Sequence, residues 1–212
     1  MASKDWSQVQ INTRFKDFMK WFYSSSSPQT YTEEKLVELV ATRTRVLKDK
    51  ILAADIPLDQ AANDSGRKVI VLLSGIKKVL YAHTVSAFMS REVFADFVSQ
   101  VLMFSLLYAH RVLCTSSDPP SEKEKKIKAY VTDNMANGGA MEPFRNLMRY
   151  VLDNRAACPF IGEWIDECTE FLSFVQMSGT PNSNPDYHRL FELFLEKYDA
   201  QIRFDYGAYY TP

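Results

Sequence analysis

The chain has 212 residues, 46% of them hydrophobic and 24% charged, enough apolar material to bury a real core and to exclude disorder as the main state. Lys+Arg 25 against Asp+Glu 26 leaves a formal net charge of -1, which excludes a surface built mainly to coat phosphates and leaves any nucleic-acid contact to a local patch. With only 7 Gly and 9 Pro the chain is poor in hairpin turns, so long helices are the expected product.

Trp6, Val9, Ile11, Phe15, Phe18, Met19 and Phe22 fall largely at helical spacing, and the run from Ser24 to Pro28 ends them, which predicts an N-terminal helix and a Ser-rich link over residues 1–30. Thr32, with Glu33 and Glu34 behind it, places a capping oxygen and two carboxylates where a helix start favours them. Leu36, Leu39, Val40, Val46, Leu47 and Leu52 then carry an apolar stripe. Pro57 and the Asn63-Asp64-Ser65-Gly66 cluster interrupt it, after which Val69 to Leu73, Ile76, Val79, Leu80 and His83 resume the period. The Val-Ile-Val-Leu-Leu run suits a strand, but its continuation at period 3.6 favours a buried helix.

Ser90, with Glu92 just inside, opens the longest apolar helix, which carries Phe94, Phe97, Val98, Val101, Leu102, Tyr108 and Val112 and is expected to be central, with Phe97 and Val101 buried. The segment from Cys114 to Pro120 reads as a loop, and Ser121 with Glu124 as a capping box. A turn at Asn137-Gly138-Gly139 precedes a helix with Phe144, Leu147, Met148, Val151 and Leu152, and another with Ile161, Trp164, Ile165, Cys168, Phe171, Leu172 and Val175. After a turn-rich stretch from Gly179 to Pro185, Asp186 caps a last helix through Leu190, Phe191, Phe194 and Leu195 to Tyr198. The expected fold is all-α, a multi-helix bundle of about seven or eight helices with an extended C-terminal tail, residues 31–200 forming the helical domain and 201–212 leading out of it.

The residues that carry chemistry are dispersed. His83, His110 and His188 lie in three helices, with no pair at the four-residue spacing that turns two imidazoles toward one metal. Cys114, Cys158 and Cys168 form neither a disulfide framework nor a zinc knuckle, which suits a reducing, cytoplasmic setting, and Cys158 and Cys168 read as packed thiols. The segment SEKEKKIK carries Lys123, Lys125, Lys126 and Lys128, but Glu122 and Glu124 interleave them, so it reads as a solvated helix face. No G-x-S-x-G elbow, phosphate loop, export signal or run approaching the roughly 20 apolar residues of a membrane span is evident. From these residues alone the chain is a helical domain without a self-contained active site.

The C-terminal stretch FELFLEKYDAQIRFDYGAYYTP, Phe191 to Pro212, resembles the junction into the methyltransferase domain of single-chain restriction-modification enzymes, the type ISP group, and related adenine-specific DNA methylases. The matching positions are Phe194, Leu195, Tyr198, Asp199, Arg203, Gly207, Tyr209, Tyr210, Thr211 and Pro212. YTEEKLVELVATRTRVLKDKIL, VFADFVSQVLMFSLLYAHRVL and MEPFRNLMRYVL resemble the helical region ahead of that junction more weakly. The resemblance implies a helical coupling region that carries and orients a methyltransferase module of the same polypeptide. It also implies that Tyr209, Tyr210, Thr211 and Pro212 lie against S-adenosylmethionine, with Thr211 as a helix cap and Pro212 at the first helical position. The glycine-containing cofactor loop and the Asn/Asp-Pro-Pro-Tyr/Phe catalytic motif are not in the sequence, so the chain is expected to be a non-catalytic fragment whose parent methylates adenine in duplex DNA. The isolated chain is expected to bind no cofactor and to hold DNA weakly and salt-sensitively. A free-standing helical interaction domain is the alternative.

Overall fold

In the structure, a computed structural model, the Thr32 hydroxyl accepts from the backbone N–H of Lys35 at 3.2 Å and starts helix α1, Glu33–Ala54. Residues 29–55, 58–81, 90–132, 142–177 and 187–199 are described. They contain six further α-helices, namely α2 (Asp64–Tyr81), α3 (Arg91–Leu113), α4 (Pro120–Thr132), α5 (Glu142–Asp153), α6 (Pro159–Ser173) and α7 (Tyr187–Tyr198), and a 3-10 turn at Leu58–Gln60. The only strands among the described residues are β1 (Gln29–Tyr31) and β2 (Val175–Met177), which pair in parallel with Gln29 opposite Val175. The all-α bundle is thus as expected. Val175, read as the end of a helix, instead begins the second strand, because α6 stops at Ser173 and the chain straightens against β1.

Helix α3 is central. It packs against α1, α4, α5 and α6, and its Phe104 ring meets Phe191 and Phe194 of α7 edge-on at 4.8 and 5.1 Å. The Ser90 hydroxyl caps it by accepting from the N–H of Val93, and Phe94, Val98, Val101, Leu102 and Leu106 fill its buried face. Phe97 does not join them: it shares a half-buried stripe with Gln100, Phe104 and Arg111, at i, i+3, i+7 and i+14. Against the expectation that no run approaches a membrane span, α3 is by length and composition long and apolar enough to cross one, and 67% of its apolar window lies inside the bundle, as in a core helix.

On α1 the buried stripe runs Leu36, Val40, Thr44, Leu47, Ile51, at the spacing of successive helical turns. Thr44 takes the place expected of an apolar residue by returning its hydroxyl to the Val40 carbonyl at 2.7 Å, which leaves Val46, one residue off the stripe, exposed. The Asn63-Asp64-Ser65-Gly66 cluster is not a break but the start of α2, since the Asn63 side chain accepts from the N–H of Gly66 at 2.8 Å. The Val-Ile-Val-Leu-Leu run is accordingly helical, with Ile70, Leu72, Leu73 and Ile76 buried. Gly75 of α2 leaves room for the Tyr150 hydroxyl of α5, which a Cβ there would displace. Helix α4 begins one residue ahead of the predicted capping box. Pro120, with φ already fixed and no N–H to satisfy, takes the first helical position, so Ser121 lies within the helix.

Two polar joints tie α2 and α3 to the end of α1. Lys77 reaches both carboxylate oxygens of Asp55 at 2.7 and 2.6 Å and lies 4.7 Å above the Phe94 ring, and Arg91 donates to the Leu52 carbonyl at 2.7 Å. One apolar core runs from Leu36 of α1 to Tyr198 of α7.

Candidate functional site at the end of the last helix

Helix α7 buries Leu190, Phe194, Leu195 and Tyr198, at i, i+4, i+5 and i+8, packing along α1 and setting Phe194 against Phe104 of α3. The last carbonyls of a helix lack partners within it. Here Arg45, projecting from α1, supplies them: its Nη1 donates to the carbonyls of Lys197 at 2.7 Å and Tyr198 at 2.9 Å, and its Nη2 donates to the Thr42 hydroxyl. A guanidinium at this end also meets the negative end of the helix dipole.

The Tyr198 side chain is held as firmly as its carbonyl. Its hydroxyl donates to Asp96 Oδ1 at 2.5 Å, the same oxygen that takes the Lys48 ammonium at 2.8 Å, and its ring stacks on Phe194 with centroids 5.4 Å apart. Burial, and then the hydrogen bond to Asp96, push the phenol well above its usual pKa, so it stays a donor. Two residues of α1 and one of α3 therefore fix both the backbone and the side chain at which α7 ends.

A second buried polar group lies where α3, α4 and β2 meet. Lys123 is 2% exposed and donates to the Val175 carbonyl at 2.8 Å. Neither ring nitrogen of His110, itself 4% exposed, has a hydrogen-bond partner. Desolvation, followed by the Lys123 charge, lowers the His110 pKa to about 4, so the ring is neutral near pH 7. The Val175 carbonyl opposes that shift, but Lys123 is the group that holds it in hydrogen-bond geometry. Reading SEKEKKIK as a solvated face thus fails at Lys123, which occupies the inward stripe with Ile127 and Val131, at i, i+4 and i+8.

The other residues that drew notice in the sequence lie apart. Cys158 and Cys168 are buried, and burial raises Cys158 to about 11 and Cys168 further. Cys114 is half-buried and also raised to about 11 by desolvation. All three are free thiols held well away from thiolate formation at neutral pH. Among the described residues no group of His, Cys, Asp and Glu could hold a metal ion. His83, and the junction residues Tyr209, Tyr210, Thr211 and Pro212, lie outside the described residues, as do residues 1–28 with their predicted helix and link.

The chain matches no protein-family model, no curated protein and no solved structure. Arg45, Lys48 and Asp96 went unmarked in the sequence. Asp96 carried a signal, as the sole charged residue between Glu92 and His110 of an otherwise apolar helix. Lys123 carried another, since it falls in line with Ile127 and Val131.

Proposed function

We propose that the chain is a helical coupling module of an adenine-specific DNA methyltransferase of the single-chain restriction-modification group, and that its work is mechanical. The observation that carries this is the locked end of α7, where Arg45 holds the carbonyls of Lys197 and Tyr198 and Asp96 holds the Tyr198 hydroxyl. A spacer that orients a neighbouring module needs a rigid exit, and this exit lies within the segment resembling the methyltransferase junction, ahead of its Arg203 and Gly207 to Pro212 positions. Tyr209, Tyr210, Thr211 and Pro212 form the edge of an S-adenosylmethionine site completed by the methyltransferase module, and that module, rather than this chain, performs the transfer. Duplex DNA is the substrate of the whole, in the cytoplasm.

If the reading frame continues past Pro212 into a methyltransferase module, the test is methyl transfer to duplex DNA by that longer polypeptide, with and without Arg45→Ala combined with Tyr198→Phe; a frame that stops at Pro212 overturns the reading. A several-fold lower rate at unchanged helix content and cofactor affinity supports a coupling role. An unchanged rate removes the coupling role, whereas no methyl transfer by the extended polypeptide removes the methyltransferase reading and favours the free-standing interaction domain.

A further inference from the structure

Three of the four lysines of SEKEKKIK are committed elsewhere. Lys123 is buried on the Val175 carbonyl, Lys126 pairs with Asp118 at 2.8 Å, and Lys128 pairs with Glu124 at 2.5 Å. Uncommitted cations gather instead on α2. Arg67, Val71, Ser74 and Lys78, at i, i+4, i+7 and i+11, form one exposed stripe of that helix, and Lys68 is exposed beside it. None of Arg67, Lys68 and Lys78 has an ion-pair partner among the described residues, whereas Lys77, on the inward side, is spent on Asp55. The only acid of α2 is Asp64, in the first turn, where the helix dipole accounts for it. Val71, 62% exposed, and Ser74 fill the middle of the stripe with uncharged side chains, so past the first turn nothing on this face repels a polyanion.

Resting on the coupling reading above, we infer that the outward face of α2 is a docking surface for the phosphate backbone of duplex DNA. Arg67 and Lys78 stand eleven residues apart, about 16 Å along the axis, enough to reach phosphates on both sides of a major groove about 12 Å wide. The Ser74 hydroxyl adds a donor between them, of the kind that contacts phosphate without reading sequence. Such a face supplies affinity and register but no base specificity, and suits a part that steadies DNA while another module acts on it. It also reconciles DNA contact with a chain of net charge -1, because the positive charge is local.

Fluorescence anisotropy with a labelled duplex of arbitrary sequence, titrated with the 212-residue chain at several salt concentrations, tests this. The triple variant Arg67→Gln, Lys68→Gln, Lys78→Gln keeps helix-forming side chains at exposed positions and should bind at least about tenfold more weakly, with a salt slope shallower by about 2 to 3 in log-log units. A reference variant, Lys50→Gln with Lys125→Gln, removes two exposed lysines elsewhere and should bind within about twofold of the parent. Equal binding by the triple variant and the parent overturns the assignment to α2 while leaving the coupling reading intact, since that is judged by methyl transfer. No duplex binding even at low salt, or binding of poly-glutamate in place of the duplex, also overturns it, the latter reassigning the face to an acidic protein.

Discussion

The hydroxyl of Tyr198 donates to the carboxylate of Asp96 across 2.5 Å, and these residues are 102 positions apart in the chain. The bond closes the bundle by tying its last helix to its central one, and Lys48 on the same carboxylate oxygen makes the joint a three-helix one. A hydrogen bond to a charged group contributes about 1.5–3 kcal/mol. Tyr198→Phe should therefore lower the unfolding free energy by about that amount, measured as a shift of the urea midpoint at constant slope. In a double-mutant cycle with Asp96→Ala the two losses should fall short of additivity, because either change removes one partner of the same bond.

The two phenylalanines near the start of α3 should separate in the same assay. Phe94 is fully buried beside the Asp55–Lys77 joint, and Phe94→Ala should cost about 3–5 kcal/mol. Phe97 lies on the half-buried stripe, and Phe97→Ala should cost only about 1–2 kcal/mol. Equal costs would mean that the rotation of α3 in the bundle is misassigned.

His110 should make stability depend on pH. Its pKa is about 4 in the fold against 6.5 for the free side chain, so between those values the unfolded chain holds a proton that the native ring does not. Stability is therefore fully present above about pH 6.5 and is lost as pH falls toward 4, by about 3 kcal/mol in all. Asp118, lowered to about 2 by its bonds to Lys126 and the Thr115 N–H, gives up its contribution only below its ordinary value of 3.8 and so stays clear of most of this window. Urea midpoints at pH 7.5 and 4.5 should fall further for the parent than for His110→Leu. Parallel profiles would remove His110 as the cause.

Most of the helical frame was legible in the sequence because it is written in local signals. Thr32 and Ser90 cap the helices they were expected to cap, and the stripe from Phe94 through Val98 and Val101 marks α3 as a core helix. What escaped depends on contacts distant in the chain or on competition between neighbouring signals. The parallel pairing of Gln29–Tyr31 with Val175–Met177 has no local signature in segments of three residues. Lys123 reads as one lysine of a charged run until α6 and β2 close over it. At the candidate site the apolar ring of Phe194 and Tyr198 was visible, whereas Arg45 looked like any surface arginine. Its partners are backbone carbonyls of Lys197 and Tyr198, which no side-chain pattern encodes.

Orientation of a methyltransferase module through the segment beyond α7 is what we propose for this bundle. Calorimetry with S-adenosylmethionine tests it, on the 212-residue chain and, if the reading frame continues past Pro212, on that extended polypeptide. The chain alone should release no binding heat, because a helix start holds an anion only with its helix behind it, whereas the extended protein should bind. Thr211→Ala should weaken that binding by about 1 kcal/mol, the loss of one cap or hydrogen bond, and Tyr210→Ala should weaken it as well. Cofactor binding by the chain alone, no binding by the extended protein, or indifference of the extended protein to both substitutions would contradict the claim.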